Sequence, residues 1–186
     1  MRKSVCSSVV AALLLLPCGL AVAQSGHNDA QVPGGPDEAR LIKEVRHQLV
    51  MLPYFTIFDD LGFTLNGSTV TLVGAVTRPT LKSDAENVVK RIEGVTQVIN
   101  QIKVLPLSNM DWQIRRAVAR AIYGDPQIGT RYGNQALPSI HIIVENGNVT
   151  LEGVVANQFD KNLINVRANA VPNVFSVTNH LQVEKG

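Results

Sequence analysis

Four histidines, an adjacent aspartate pair and one segment that joins the single tryptophan to three arginines are the residues of this 186-residue chain that could do chemistry. His27, His47, His141 and His180 are scattered, without the two- or four-residue spacing that lets imidazoles share a metal, so a zinc site has little support. The two cysteines, Cys6 and Cys18, both lie in the first 23 residues and are lost with them if that segment is a leader. Asp59 and Asp60 could form a carboxylate pair for acid–base work, but adjacent aspartates just before Gly62 read as a solvated loop. Nucleophile-elbow, Walker and dinucleotide fingerprints are missing from the sequence. No catalytic residue, cofactor or metal is assigned, and the chain reads as non-enzymatic.

The remaining constellation is one of surface chemistry. At 100° per residue, Trp112, Arg116, Ala119, Arg120 and Tyr123 fall on the side of a helix opposite Ile114, Ala117, Val118 and Ala121. Arg115 adds a third positive charge, and Asp111 is the one nearby acid. Aromatic rings beside guanidinium groups suit a phospholipid headgroup boundary, so Trp112, Arg115, Arg116, Arg120 and Tyr123 are the lipid-binding candidates. Three cations near an anionic surface would contribute about 1 kcal/mol each. The other reading, that Trp112 and Tyr123 are covered as core, stays open.

These residues must be positioned by a duplicated unit. Sliding residues 70–104 onto 149–183 at a constant offset of 79, without a gap, gives ten identities in 35 positions, mostly apolar. VTLVGAV matches VTLEGVV, and EGVTQVINQIKV matches PNVFSVTNHLQV. Val70, Leu72, Gly74 and Val76, with Val149, Leu151, Gly153 and Val155, alternate as the buried side of a strand does. Glycine inside a strand is a weakness, so Gly74 and Gly153 imply a bulge or a close backbone approach. Asn66-Gly67 and Asn146-Gly147 predict hairpin turns after strands at Phe63–Leu65 and Ile140–Val144. Helices follow, with Gly94 and Asn173 suited to left-handed caps behind them. Last strands carry Asn100 and Asn179 amid apolar positions, read as polar groups bonded to backbone rather than ligands. Each unit opens with a helix: Leu41, Ile42, Val45, Leu49 and Leu52 stripe the first, and Asp111 is the expected cap of the second. The order helix, strand, strand, helix, strand occurs twice, jointed at Pro106.

Residues 1–23 have the form of a secretory signal: basic Arg2-Lys3, an apolar run from Val9 to Leu16, and Ala21-Val22-Ala23 before a cleavage point. Pro17 disfavours lipidation at Cys18, so cleavage after Ala23 is expected, followed by a flexible lead-in over 24–36. No later stretch is long enough to cross a membrane, so peripheral association is expected. Of 17 basic residues two are Arg2 and Lys3, so the mature chain balances 15 basic against 15 acidic residues, which disfavours nucleic acid as a partner.

The paired motifs VTLVGAV with EGVTQVINQIKV, and VTLEGVV with PNVFSVTNHLQV, resemble the BON domain of bacterial envelope proteins over residues 37–184 or so. The layout is similar to the osmotically inducible periplasmic protein Y family, with tandem BON domains behind a signal peptide. The resemblance implies an α+β fold of two αββαβ modules, 37–106 and 107–186, each a three-stranded mixed sheet on two helices, with an inserted loop at 123–139. It further implies a non-enzymatic periplasmic protein that binds phospholipid and supports envelope integrity or stress response. The alternative is a protein–protein adaptor in the envelope, using open sheet edges or the inserted loop.

Overall fold

The computed structural model describes residues 36–135 and 137–184. The expected signal segment, Cys6, Cys18, His27 and nearly all of the expected lead-in lie outside the described residues.

The first unit begins with α1 (Pro36–Val50), which has proline at its start and Asp37 and Glu38 in its first turn, where negative charge suits the helix dipole. It buries Leu41, Val45 and Leu49 in the predicted stripe, with Leu52 just beyond its end. β1 (Asp60–Asn66) pairs antiparallel with β2 (Thr69–Val76). After α2 (Pro79–Lys90), the chain returns parallel to β2 as two short segments of one strand, β3 (Gln97–Asn100) and β4 (Lys103–Val104). The second unit repeats this with α3 (Asn109–Tyr123), β5 (Ile140–Glu145), β6 (Asn148–Val155), α5 (Gln158–Asn169), β7 (Ser176–Asn179) and β8 (Gln182–Val183). Each sheet is therefore mixed and effectively three-stranded, with the alternating valine strand in the centre. Val70, Leu72 and Val76, and their counterparts Val149, Leu151 and Val155, are buried on one side of it.

The repeated polar positions have local causes. Asn100 donates through Nδ2 to the Lys82 carbonyl (2.9 Å) and accepts from the Ile102 amide (3.1 Å); Asn179 does the same with Lys161 (3.2 Å) and Leu181 (3.1 Å). Each asparagine thus interrupts the third strand and ties the break to the crossover helix, a bond to backbone as expected. Gly74 (φ 116°) and Gly153 (φ 120°) face the chain at the start of the preceding strand: a Cβ would lie 2.3 Å from the Asp60 carbonyl oxygen and 1.9 Å from that of Ser139. Close backbone approach is the reason for glycine at both.

Several local expectations are corrected. The first hairpin turns on Gly67-Ser68, because Asn66 pairs with Thr69 as a strand residue, whereas the second turns on Asn146-Gly147, both at positive φ. Gly94 (φ 96°) and Asn173 (φ 67°) are left-handed, but they sit in the turns after the helices, whose caps are Arg91 and Ala170. Asp111 does not cap α3: the Ser108 hydroxyl accepts from the Asp111 amide (3.2 Å). Asp59 is not solvated; it is fully buried, accepting from the amide and hydroxyl of both Thr56 and Thr77.

The insertion is also more than a loop. It contains α4 (Pro126–Tyr132), which buries Ile128 and Tyr132 in the second core. Asp125 caps α4 and bonds Arg167 of α5 (2.7 Å). Asp160, fully buried, takes bonds from Tyr132 (2.6 Å), Gln127 (3.0 Å) and Arg131. Burial pushes the Asp160 carboxyl up, but its bonds to Tyr132 and Arg131 outweigh this and hold it below the ordinary value.

Candidate functional site

The helix that opens the second unit is sewn to the outer edge of β5. Arg115 donates through Nη2 to the Val144 carbonyl (2.7 Å), and the Tyr123 hydroxyl donates to the Ile140 carbonyl (2.7 Å). Eight residues of helix rise about 12 Å and four of strand about 13 Å, so the two bonds fall in step. Midway, the Ile142 amide donates to the Ile57 carbonyl of the first unit (2.7 Å). Backbone groups at alternate strand positions point to the same side, so 140, 142 and 144 all face away from β6. Three partners of different kinds thus cover the edge that an added strand would use.

This arrangement divides the five lipid-binding candidates. Arg115 is only 4% exposed and Tyr123 is half-buried with its hydroxyl bonded inward; burial raises the tyrosine pKa above its ordinary value. Neither joins the outward face. Trp112, 46% exposed, together with Arg116 and Arg120 does, and they border a shallow groove of about 380 Å³ with Met110, Pro172 and Asn173. Met110 and Leu107 are exposed beside them. Asp111 is buried, its carboxylate accepting from the Asn146 (3.0 Å) and Gly147 (2.8 Å) amides at the tip of the second hairpin. The outward face of α3 therefore shows cations and apolar groups, while its single acid is spent inside.

Segment 55–59, between α1 and β1, docks the two units. Phe58 meets Trp112 edge to face at 5.5 Å between ring centroids, and Ile57 and Phe58 pack against the second core. Phe55 stacks on His141 (5.5 Å), whose Nδ1 contacts the Asp59 carbonyl oxygen at 2.7 Å. Lys103 and Glu145 pair across the units at 2.6 Å. No periodic pattern marks segment 55–59 as an interface; its one sequence signal is three aromatic or aliphatic residues, Phe55, Ile57 and Phe58, in a turn-rich stretch. A cleft of about 460 Å³ remains between the units, with Phe58, Thr77 and Arg78 on one side and Trp112 and Arg115 on the other.

Among the described residues no group of three or more His, Cys, Asp or Glu could hold a metal ion, and no helix is long and apolar enough to cross a membrane. His180 Nδ1 instead lies 2.6 Å from Glu152 Oε1.

The family model of the BON domain matches the chain twice, over residues 37–106 and 111–185. Among solved structures, the chain is similar to the C-terminal domain of CdsD, a structural protein of the type III secretion system of Chlamydia trachomatis: 14% identity over 78% of this chain and 98% of that one, with a TM-score of 0.33. A second structure of CdsD matches with 13% identity over 79% and 93% of the two chains, TM-score 0.32. Likeness of that size carries no functional inference. No curated protein matches the chain.

Proposed function

The chain belongs to the BON-domain family, with two copies in tandem, and from that premise we propose that it adsorbs to anionic phospholipid surfaces of the bacterial envelope through the outward face of α3. The observation that carries this reading is the sorting of one helix: Trp112, Arg116 and Arg120 outward beside exposed Met110, Asp111 inward on the hairpin amides. An indole near the headgroup level with two guanidinium groups meeting phosphate is the chemistry of a peripheral contact. Two cations contribute about 1 kcal/mol each at such a surface, so adsorption is weak, reversible and salt-sensitive. The leader-like N-terminus and the family support a periplasmic location and a role in envelope integrity or stress response. An adaptor acting through the β5 edge or the inserted loop is less well supported, because that edge is covered and the insertion folds onto α5.

The test is flotation with phosphatidylglycerol and phosphatidylcholine vesicles. The mature chain is expected to float with the anionic vesicles at low salt and to shift its Trp112 emission to the blue, and the Arg116→Glu, Arg120→Glu double variant to lose both. Absence of binding at low salt rejects the proposal, and capture of one envelope protein without a vesicle response would favour the adaptor.

A further inference from the structure

Arg115 is over-buried for what it does. Its side chain is 4% exposed, it makes a hydrogen bond to the Val144 carbonyl, and its Nε is buried with no hydrogen-bond partner among the described residues. A buried guanidinium short of partners is costly, and such groups are normally matched by a carboxylate in fork geometry. Asp111 and Asp59 are near enough to favour its charge, which burial opposes. Their oxygens, however, are taken: Asp111 by two hairpin amides, Asp59 by four donors from Thr56 and Thr77. Neither aspartate lines the cleft between the units, whereas Arg115 does.

The rest of that cleft has a matching character. Arg78, exposed and stacked on the Tyr54 ring at 5.0 Å, brings a second guanidinium from the first unit. Ser108 and Asn109 set the start of α3, with its positive dipole end, in the same wall. Phe58 and Trp112 close one side with aromatic surface. Two guanidinium groups and a helix start suit an anionic phosphate head, and the aromatic wall suits a short apolar tail.

We propose that the inter-unit cleft binds a small amphipathic phosphate ester, with Arg115 as the buried anion receptor, Arg78 as the rim cation, and Phe58 and Trp112 packing the apolar part. Because the cleft is walled by both units, an occupant fastens them together. This site is distinct from the outward groove at Arg116 and Arg120. A free phosphate monoester and the head of a phospholipid share the required chemistry.

Hexyl phosphate, inorganic phosphate and dihexanoylphosphatidylglycerol, added separately to the mature chain, test the proposal through Trp112 emission and melting temperature. At least one of the two amphiphiles is expected to give a saturable emission change and a raised melting temperature, at a lower concentration than inorganic phosphate; which one does so identifies the source of the ligand. Arg115→Met, which keeps the volume, is expected to weaken binding roughly tenfold or more. Arg78→Gln, at the exposed rim, is expected to weaken it several-fold without altering the fold, and stands in if the Arg115 variant does not fold. The Arg116→Glu, Arg120→Glu double variant is expected to lose vesicle adsorption yet keep the amphiphile response. The proposal is overturned if neither amphiphile binds, if inorganic phosphate binds as tightly as they do, if a folded Arg115→Met or Arg78→Gln variant binds like the parent, or if the double variant loses both responses together.

Discussion

Replacing Gly153 with alanine puts a methyl group where the chain has no room. Gly153 holds φ at 120°, and its Cβ would stand 1.9 Å from the Ser139 carbonyl oxygen and 3.0 Å from its carbon, both backbone atoms that no rotamer change can move. Holding a non-glycine residue at such a φ costs about 1–3 kcal/mol. Moving Ser139 away also breaks the bond its carbonyl accepts from the Val154 amide (3.1 Å), about 1 kcal/mol more. The expected loss is about 3 kcal/mol. Gly67→Ala is the control: its φ of 59° is also positive, but nothing lies within 4 Å of the added atom. There the cost is about 1 kcal/mol of left-handed strain, partly offset by a stiffer unfolded chain. At about 2–4 °C per kcal/mol for a chain of this size, thermal unfolding followed by far-ultraviolet circular dichroism should separate the two variants by roughly 4–8 °C. If both melt within a degree or two of each other, close approach is not why this position is glycine in both repeats, and the same reasoning fails for Gly74.

The second unit should be acid-sensitive through its insertion. Asp160 and Asp125 are held below the ordinary carboxylate range, the first by Tyr132 and Arg131 despite burial, the second chiefly by its bond to Arg167. A depressed carboxylate contributes stability above its unfolded value that is lost as pH falls through its folded one. Denaturant midpoints measured by Trp112 fluorescence should therefore drop as pH falls below the ordinary aspartate value of about 4, and Asp160→Asn should flatten that drop while lowering the midpoint at pH 7. Asn179→Ala removes two backbone partners at once and should cost about 1–2 kcal/mol, with the break between β7 and β8 exchanging amide protons faster in hydrogen-exchange measurements.

The linear order of residues determined a great deal here. Strict alternation at Val70, Leu72 and Val76 and at Val149, Leu151 and Val155 imposes a strand with one buried side, and a gapless offset of 79 imposes the same topology twice, because each contact involved is local or repeated. Asn100 and Asn179 were legible for the same reason: their partners, Ile102 and Leu181 two residues on and Lys82 and Lys161 on the neighbouring helix, belong to the unit itself.

Tertiary structure alone decided which side chains of α3 face water. A helical wheel places Arg115 and Tyr123 by angle, but it cannot show that the carbonyls of Val144 and Ile140 await them on the strand edge that no neighbouring strand pairs. Nor can local pattern show that Asp59 is buried by Thr56 and Thr77, or that Phe58 crosses to Trp112. For Asp59, Arg115 and Tyr123 burial is completed by partners distant in the chain, Thr77, Val144 and Ile140, and sequence periodicity carries no record of them.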